Sequence, residues 1–297
     1  MKQDGLALSP LTQRIMKQIL APMAVLSLPL VSNAQDLPAL SPHAEVEQII
    51  GLTDVEVEYS RPSARGRAIF GDLVPYDEIW RTGANKSTKI TFSGSVDFGG
   101  KPVKAGSYSL FAIPHEGVWE LILNSNPELN GAFDRKEAED VLRTKAEVQY
   151  GEFVETFTIG FANLGQDKAD LELAWEKQRV RITISADATA QGLVNIKEAL
   201  AKSDAGYSAY NRAASFFLDR GQDPKVALQY AQKSLSMEKH YWNTFTLAKA
   251  YAAVGDHAKA AATAKEAAAL AEADKSAGAA KEYSAKAQEW ATKAAGK

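Results

Sequence analysis

Four arginines and a tryptophan lie close together in a stretch rich in turn residues, from Ser60 to Gly106. They are Arg61, Arg65, Arg67, Trp80 and Arg81. Arginine presents five N–H donors in a planar fork, which suits contact with two oxygens of a carboxylate or phosphate. If the fold brings these side chains together, they can bind an anionic ligand. Trp80 would then form an apolar or sugar-stacking wall, and Asn85 would add an amide.

The same residues also fit a structural network that binds no ligand. Asp72, Asp77 and Glu78 lie close by in the sequence and can neutralise the arginines. A Trp–Arg pair in a β domain can also be a ring packed under a guanidinium group. The sequence leaves both interpretations open.

The chain lacks the short signatures of the common enzyme classes. It has no Gly-x-Ser-x-Gly elbow, no His-Glu-x-x-His, no P-loop and no dinucleotide-binding fingerprint. We therefore assign no catalytic residue and expect no cofactor. The histidines are His43, His115, His240 and His257. They lack the spacing of metal ligands, and the chain has no cysteine, so we expect no metal site.

Charge is distributed unevenly along the chain. The whole sequence has a formal net charge of −3. Residues 60–106, in contrast, contain eight Lys or Arg and four Asp or Glu, a formal +4. A local positive field in an acidic protein favours an anionic ligand at one place and disfavours nucleic acid over the whole surface.

The N-terminus predicts export. Lys17 is followed by an apolar run from Ile19 to Val31 and then by Ser32-Asn33-Ala34, as in a secretory signal. We predict that residues 1–34 are an extension and a signal peptide cleaved near Ala34. The mature chain would have no membrane span and would be periplasmic or secreted. Without cysteine it can carry neither a lipid-anchored cysteine nor a disulfide.

Residues 35–190 are predicted to form a β-rich domain. Val55 and Val57 alternate with polar residues, the period of a half-buried strand. Gly99-Gly100 is typical of a two-residue hairpin turn. A further turn is expected at residues 176–178. Eight or nine short strands with closely spaced turn signals predict an antiparallel β-sandwich or barrel.

Residues 191–297 are predicted to form a helical domain with an internal repeat of 34 residues. Small residues recur where two antiparallel helices would approach, together with an aromatic residue and a glycine. The aligned pairs are Ala213/Leu247, Ala214/Ala248, Phe217/Tyr251 and Gly221/Gly255. The pattern resembles the tetratricopeptide repeat, which implies a groove for a protein partner. The alternative is an alanine-rich helical hairpin that only caps or extends the β domain.

A series of short segments follows in order along the β-rich part. They are Tyr59-Ser60-Arg61-Pro62, Arg65-Gly66-Arg67, Ile69-Phe70-Gly71, Val74-Pro75-Tyr76, Ile79-Trp80-Arg81-Thr82-Gly83-Ala84-Asn85, Ala105-Gly106-Ser107-Tyr108 and Trp175-Glu176. Through them, roughly residues 45–186 resemble a family of exported bacterial proteins known as domain of unknown function 2911 (DUF2911). The resemblance implies export and, often, repeats behind the domain. The family has no established activity, so no catalytic residue carries over.

Three functional hypotheses remain. The first, which we favour, is a non-catalytic binding protein of the bacterial envelope. Its β domain would hold an anionic or carbohydrate-like ligand, and its helical domain would dock a protein. The proposed ligand-binding residues are Arg61, Arg65, Arg67, Trp80, Arg81 and Asn85. The second is an envelope hydrolase in which Arg61 and Arg81 hold charge and Asp77 or Glu78 acts as base. The third is a purely structural envelope protein.

Overall fold

The computed structural model describes residues 37–296, and the fold below is that of the compact unit that begins at Leu40. Nine strands come first and six helices follow. The strands are β1 (His43–Ile50), β2 (Thr53–Ser60), β3 (Thr88–Phe92), β4 (Val96–Phe98), β5 (Lys101–Val103), β6 (Gly106–His115), β7 (Val118–Asn124), β8 (Asp140–Ala162) and β9 (Lys168–Ser185). The helices are α1 (Thr189–Ala201), α2 (Tyr207–Asp219), α3 (Pro224–Met237), α4 (Tyr241–Ala253), α5 (His257–Ala273) and α6 (Ala277–Ala295). The predicted signal peptide lies outside the described residues.

The strands form one antiparallel sheet in the order β1-β2-β3-β6-β7-β8-β9-β4-β5. Among the strands described, no ladder joins β1 to β5, so the sheet remains open. An antiparallel β-rich part followed by helices is thus confirmed. The Gly99-Gly100 hairpin is confirmed as well, since Phe98 pairs with Lys101 across it.

Strand β2 shows why this sequence forms a half-buried strand. Val55 and Val57 are fully buried and Tyr59 nearly so, while the residues between them reach the surface. The hydroxyl group of Tyr59 donates to the carbonyl of Ile159 (3.1 Å) and accepts from the amide of the same residue (2.9 Å). Strand β8 thereby packs over the inner face of β2, and the segment that follows β2 is held against it.

The two longest strands differ from the prediction. The expected turn at residues 176–178 is wrong, because β9 runs through it without a break. Glu176 instead has a positive φ of 53°, and the pairing of β8 with β9 shifts register at its partner Val154. Strand β8 pairs with β7 as far as Glu147 and with β9 from Val148 onward, so it joins the two halves of the sheet.

Aromatic side chains dominate the core beneath the sheet. Its largest fully buried members are Trp119, Trp175, Phe92, Phe98 and Phe157. The β2–β3 segment, residues 61–87, adds Trp80 to the same core. A smaller cluster of Phe111, Ile122 and Leu129 lies apart from it. The segment that carries the predicted ligand residues is therefore anchored in the core.

The helices pack as neighbours in sequence through small side chains. Ala214, Ala231, Ala248 and Ala264 are fully buried. Gly221 and Gly255 end α2 and α4 with φ angles of 59° and 81°. Phe245, Tyr283 and Trp290 form a second core between α4 and α6. Within residues 37–296, none of the helices combines the length and apolarity needed to cross a membrane.

Candidate ligand-binding site

All six predicted ligand residues lie in the β2–β3 segment or at its start. Isolated bridges join this segment to the sheet at Ser63–Thr156 and Trp80–Ala112. The amide of Trp80 donates to the carbonyl of Ala112 (2.7 Å), and the reverse bond measures 2.9 Å. The segment is thus fixed to two strands of the sheet although it contains no strand of its own.

Trp80 lies in the core and leaves 9 % of its surface exposed. Its ring stacks on Trp175, with centroids 5.9 Å apart and planes at 22°. The rings of Trp119 and Phe157 meet it edge-on. Its indole N–H donates to the carbonyl of Gly83 (3.1 Å). Trp80 is therefore a buried floor beneath the segment and not an open stacking wall.

A cavity of about 360 Å³ lies above this floor. It brings together four of the six predicted residues, namely Arg67, Trp80, Arg81 and Asn85. Its other walls are Ser41, Pro62, Leu73, Val74, Gly83, Ala84 and Trp175. We call this space the arginine cavity. No acidic side chain is among the described residues that line it, so its two guanidinium groups set its charge.

The two arginines of the cavity bond to backbone carbonyls. Arg81 donates from Nη1 to the carbonyl of Asn85 (2.7 Å). Arg67 donates from Nε to Ala64 (3.0 Å) and from Nη2 to Ser63 (2.7 Å). Carbonyl bonds orient a guanidinium group without removing its charge, and each fork keeps further N–H donors. Both arginines are thus positioned as cations with unused donors.

Arg61 and Arg65 do not line the arginine cavity. Arg61 is half-buried and donates to Phe157 and Thr158 of β8, at 3.2 and 2.8 Å. Arg65 is exposed and donates from Nη2 to the carbonyl of Leu40 (2.7 Å). Arg61 thus joins the β2–β3 segment to β8, and Arg65 joins it to the residues before β1.

The acidic residues expected to neutralise the arginines do not do so. Across residues 37–296, none of the four arginines forms an ion pair with a carboxylate. Asp77 instead contacts Nδ1 of His115, which lies in the β6–β7 hairpin. Sequence reasoning missed this Asp–His pair, because the two residues are far apart in the chain and neither stands in a motif.

A short strained turn shapes the wall beside Arg81. Thr82, Gly83 and Asn85 have φ angles of 54°, 153° and 60°. A positive φ is unusual for a β-branched residue and persists only where its surroundings impose it. Thr82 is fully buried, and its carbonyl accepts a bond from the hydroxyl group of Thr88 (2.5 Å). The turn is therefore held in one conformation with Asn85 at the cavity.

Asn85 also lines a second cavity of about 300 Å³, beside the first. There the ammonium of Lys89 donates to the carboxylate of Glu58 (2.5 Å). This hydrogen bond lowers the pKa of Glu58 and raises that of Lys89. Burial and the nearby carboxylate of Glu45 raise the pKa of Glu56 on the same strand. In this second cavity, unlike in the arginine cavity, the charges of Lys89 and Glu58 are therefore already paired.

Comparison with known proteins bears on the β-rich part. Residues 41–184 match the family model described as "Protein of unknown function (DUF2911)". This confirms the resemblance expected from the sequence. No family match covers the helical part, and neither a curated protein nor a solved structure matches the chain. The whole arginine cavity, from Ser41 to Trp175, falls within the matched segment.

Proposed function

We propose that this protein is an exported, non-catalytic binding protein whose β part holds a small anionic or carbohydrate-like ligand of the bacterial envelope. One observation carries the proposal: Arg67 and Arg81 line a single cavity that has no acidic side chain in its described lining. An anion placed there would meet two charges that no protein carboxylate has neutralised.

The cavity also suggests the size and shape of the ligand. A volume of 360 Å³ is near the lower end of the range for small-molecule sites, which is roughly 300–1,000 Å³. Trp80 forms an apolar floor, and Leu73 and Val74 add apolar walls. Asn85 adds an amide at the rim. A sugar acid or a sugar phosphate combines these features, with its charge at the arginines and its ring against the wall.

Hydrolysis is the weaker hypothesis. It needs a carboxylate or an imidazole in the same cavity as the charge-holding arginines. Asp77 is engaged with His115, and Glu58 is engaged with Lys89 in the neighbouring cavity. A bound anion would therefore meet donors but no general base among the lining residues described.

The helical part is proposed to dock a protein partner in the manner of tetratricopeptide repeats. Two helical pairs, α2–α3 and α4–α5, carry buried alanines at matching positions and end their first helices with a glycine at positive φ. The proposal also includes a barrel-like curvature of the sheet, supported by the packing of β8 over β2. The periplasmic or secreted location rests on the sequence of residues 1–34 alone.

Ligand binding can be tested with the mature chain, residues 35–297, and a panel of sugar acids, sugar phosphates and muropeptides. A ligand at a hundred times its dissociation constant adds about 2.7 kcal/mol to the free energy of unfolding, a clear thermal shift. The test variant is the double substitution Arg67→Gln and Arg81→Gln. The matched control is Arg65→Gln, which removes an arginine outside the cavity.

A ligand that binds the wild type and the control, but binds the double variant at least tenfold more weakly, supports the proposal. Two results would contradict it. One is a hit that the double variant binds equally well. The other is a double variant that unfolds while the control does not, which would make these arginines structural.

A further inference from the structure

A third cavity, of about 390 Å³, lies between the β1–β2 turn and the first two helices. It shares no lining residue with the arginine cavity. Its walls are mainly apolar and include Leu52, Ile196, Leu200 and Phe216. We call it the helix cavity. Leu52, at the tip of the β1–β2 turn, leaves 52 % of its surface exposed there.

The close approach of α1 to α2 gives the helix cavity its shape. A Cβ atom on Gly192 would lie 2.3 Å from Cζ of Phe216, so only glycine lets this ring lie against α1. Arg212 and Phe216 of α2 and Arg220, the residue that caps its C-terminus, follow at intervals of four residues and therefore lie on one side. Arg212 and Arg220 are about 12 Å apart along the helix axis. The cavity is thus an elongated apolar space with an arginine near each end.

Both arginines are cations, but only the charge of Arg220 is compensated by carboxylates. Arg212 is exposed, and its Nη1 donates to the hydroxyl group of Ser208 (3.3 Å). It has no carboxylate partner in the part of the chain described. Arg220, in contrast, forms a bidentate pair with Asp167 and lies 3.6 Å from the carboxylate of Asp187. The Arg212 end is therefore positive, and the Arg220 end is neutral to acidic.

Arg220 is largely buried. Its side chain is only 10 % exposed, and both ends of its fork bind Asp167. Since Asp167 and Asp187 already supply negative charge, an uncharged end of a ligand suits this position better than a second carboxylate.

We propose that the helix cavity binds a linear amphipathic carboxylate with an uncharged far end, such as a medium-chain fatty acid. The carboxylate binds Arg212, the alkyl chain lies along Phe216 and Leu52, and the uncharged end lies near Arg220. Charge complementarity fixes the direction in which the ligand binds, because a carboxylate at the other end would face Asp167 and Asp187. Binding also covers the exposed side chain of Leu52.

Three ten-carbon probes that differ only at the far end test this assignment by isothermal titration calorimetry. They are decanoate, 10-hydroxydecanoate and decanedioate. We expect decanoate and 10-hydroxydecanoate, whose far ends are uncharged, to bind with affinities within about threefold of each other, and decanedioate to bind at least tenfold more weakly than either. In the series hexanoate, octanoate and decanoate, affinity should rise by about fourfold for each methylene group buried.

Two variants localise the binding. Arg212→Gln should weaken decanoate by at least tenfold, whereas Lys197→Gln, an exposed charge on α1 outside the cavity, should have no effect. Ala199→Phe fills the cavity and should abolish binding with the circular dichroism spectrum unchanged. The Arg67→Gln, Arg81→Gln double variant should bind decanoate normally, which separates this site from the arginine cavity.

Several outcomes would overturn the assignment. Decanedioate binding most tightly would show that both ends are cationic. If Arg212→Gln and the wild type bind decanoate equally well, Arg212 does not bind the carboxylate. If no probe binds and the wild type forms a dimer that Ala199→Phe abolishes, the cavity holds a second copy of the chain instead.

Discussion

Trp80 and Trp175 stack with their ring centroids 5.9 Å apart, and this pair forms the floor of the arginine cavity. Trp80 comes from the β2–β3 segment, and Trp175 comes from β9. The contact couples the position of the ligand-binding segment to the core of the sheet. A substitution that disturbs this ring pair should therefore change both ligand binding and the stability of the sheet.

Replacing Trp80 by Phe should lower both stability and ligand affinity. Phe cannot donate to the carbonyl of Gly83, and its smaller ring leaves space beside Trp175. We expect a loss of about 2 kcal/mol in the free energy of unfolding, measured by urea denaturation. The control is Trp290→Phe, because Trp290 is similarly buried but lies in α6. If both variants lose ligand affinity equally, the stack has no special link to the cavity.

Gly83 should resist substitution more strongly than a glycine in an open turn. A Cβ atom there would lie 3.0 Å from the carbonyl oxygen of Ser60 and 3.3 Å from Oγ1 of Thr88, at a φ of 153°. Gly83→Ala should cost about 2–3 kcal/mol and displace Asn85. Gly100→Ala, with a φ of 82° and nothing within 4 Å, should cost only about 1 kcal/mol. Equal losses in thermal denaturation would argue against a packed turn at Gly83.

The carboxylate of Asp140 should stabilise the fold at neutral pH and should lose this effect in acid. Burial opposes its charge, but hydrogen bonds from Arg135, Asn124 and Arg143 outweigh this and lower its pKa below 3.8. Because the folded-state pKa is depressed, the stabilisation is present above the unfolded value and is lost as the pH falls through the folded one. Asp140→Asn should cost roughly 3 kcal/mol at pH 7, since it leaves the mostly buried Arg135 without its carboxylate.

The measurement for Asp140 is the melting temperature of wild type and variant between pH 7 and pH 2. The difference should shrink as the pH falls below 3.8. Asp134→Asn, an exposed neighbour, serves as the control and should match the wild type throughout. A difference that stays constant down to pH 2 would exclude the Asp140 carboxylate as its source.

Gly192 should be essential for the packing of α1. Gly192→Ala would force Phe216 out of its position, an overpacking that costs about 1–3 kcal/mol. Gly278→Ala places the same methyl group on α6, where nothing lies within 4 Å. That control should be neutral or slightly stabilising, because alanine favours the helix. Hydrogen exchange of α1 amides would report the loosening, and unchanged protection would contradict the prediction.

Features that depend on neighbouring residues could be predicted from the sequence, but contacts between distant parts of the chain could not. The alternation of Val55 and Val57 and the Gly99-Gly100 turn depend on neighbours in the chain, so they were predicted. The turn expected at residues 176–178 failed, because its polar run belongs to a continuous strand with an irregular position at Glu176. Polar residues on a strand resemble a turn when the bulge between them leaves no sequence mark.

The candidate site followed the same rule. The composition of the β2–β3 segment pointed to arginines near Trp80, and Arg67 and Arg81 do share a cavity. The burial of Trp80 depends on Trp175 and Ala112, which are distant in sequence. Which arginines would meet could be decided only by how the segment lies on the sheet.

The position of β9 between β8 and β4 has a consequence for how the newly synthesised chain folds. The β4–β5 hairpin pairs with no strand except β9 among those described, so Phe98 stays unpaired on that side until Ile184 has been synthesised. Such non-local pairing slows folding. A nascent chain that stops before Lys168 therefore carries bare strand edges on β4 and β8, and bare edges promote aggregation. The open edge of β4 is therefore covered only after β9, the last strand in the sequence, has been synthesised.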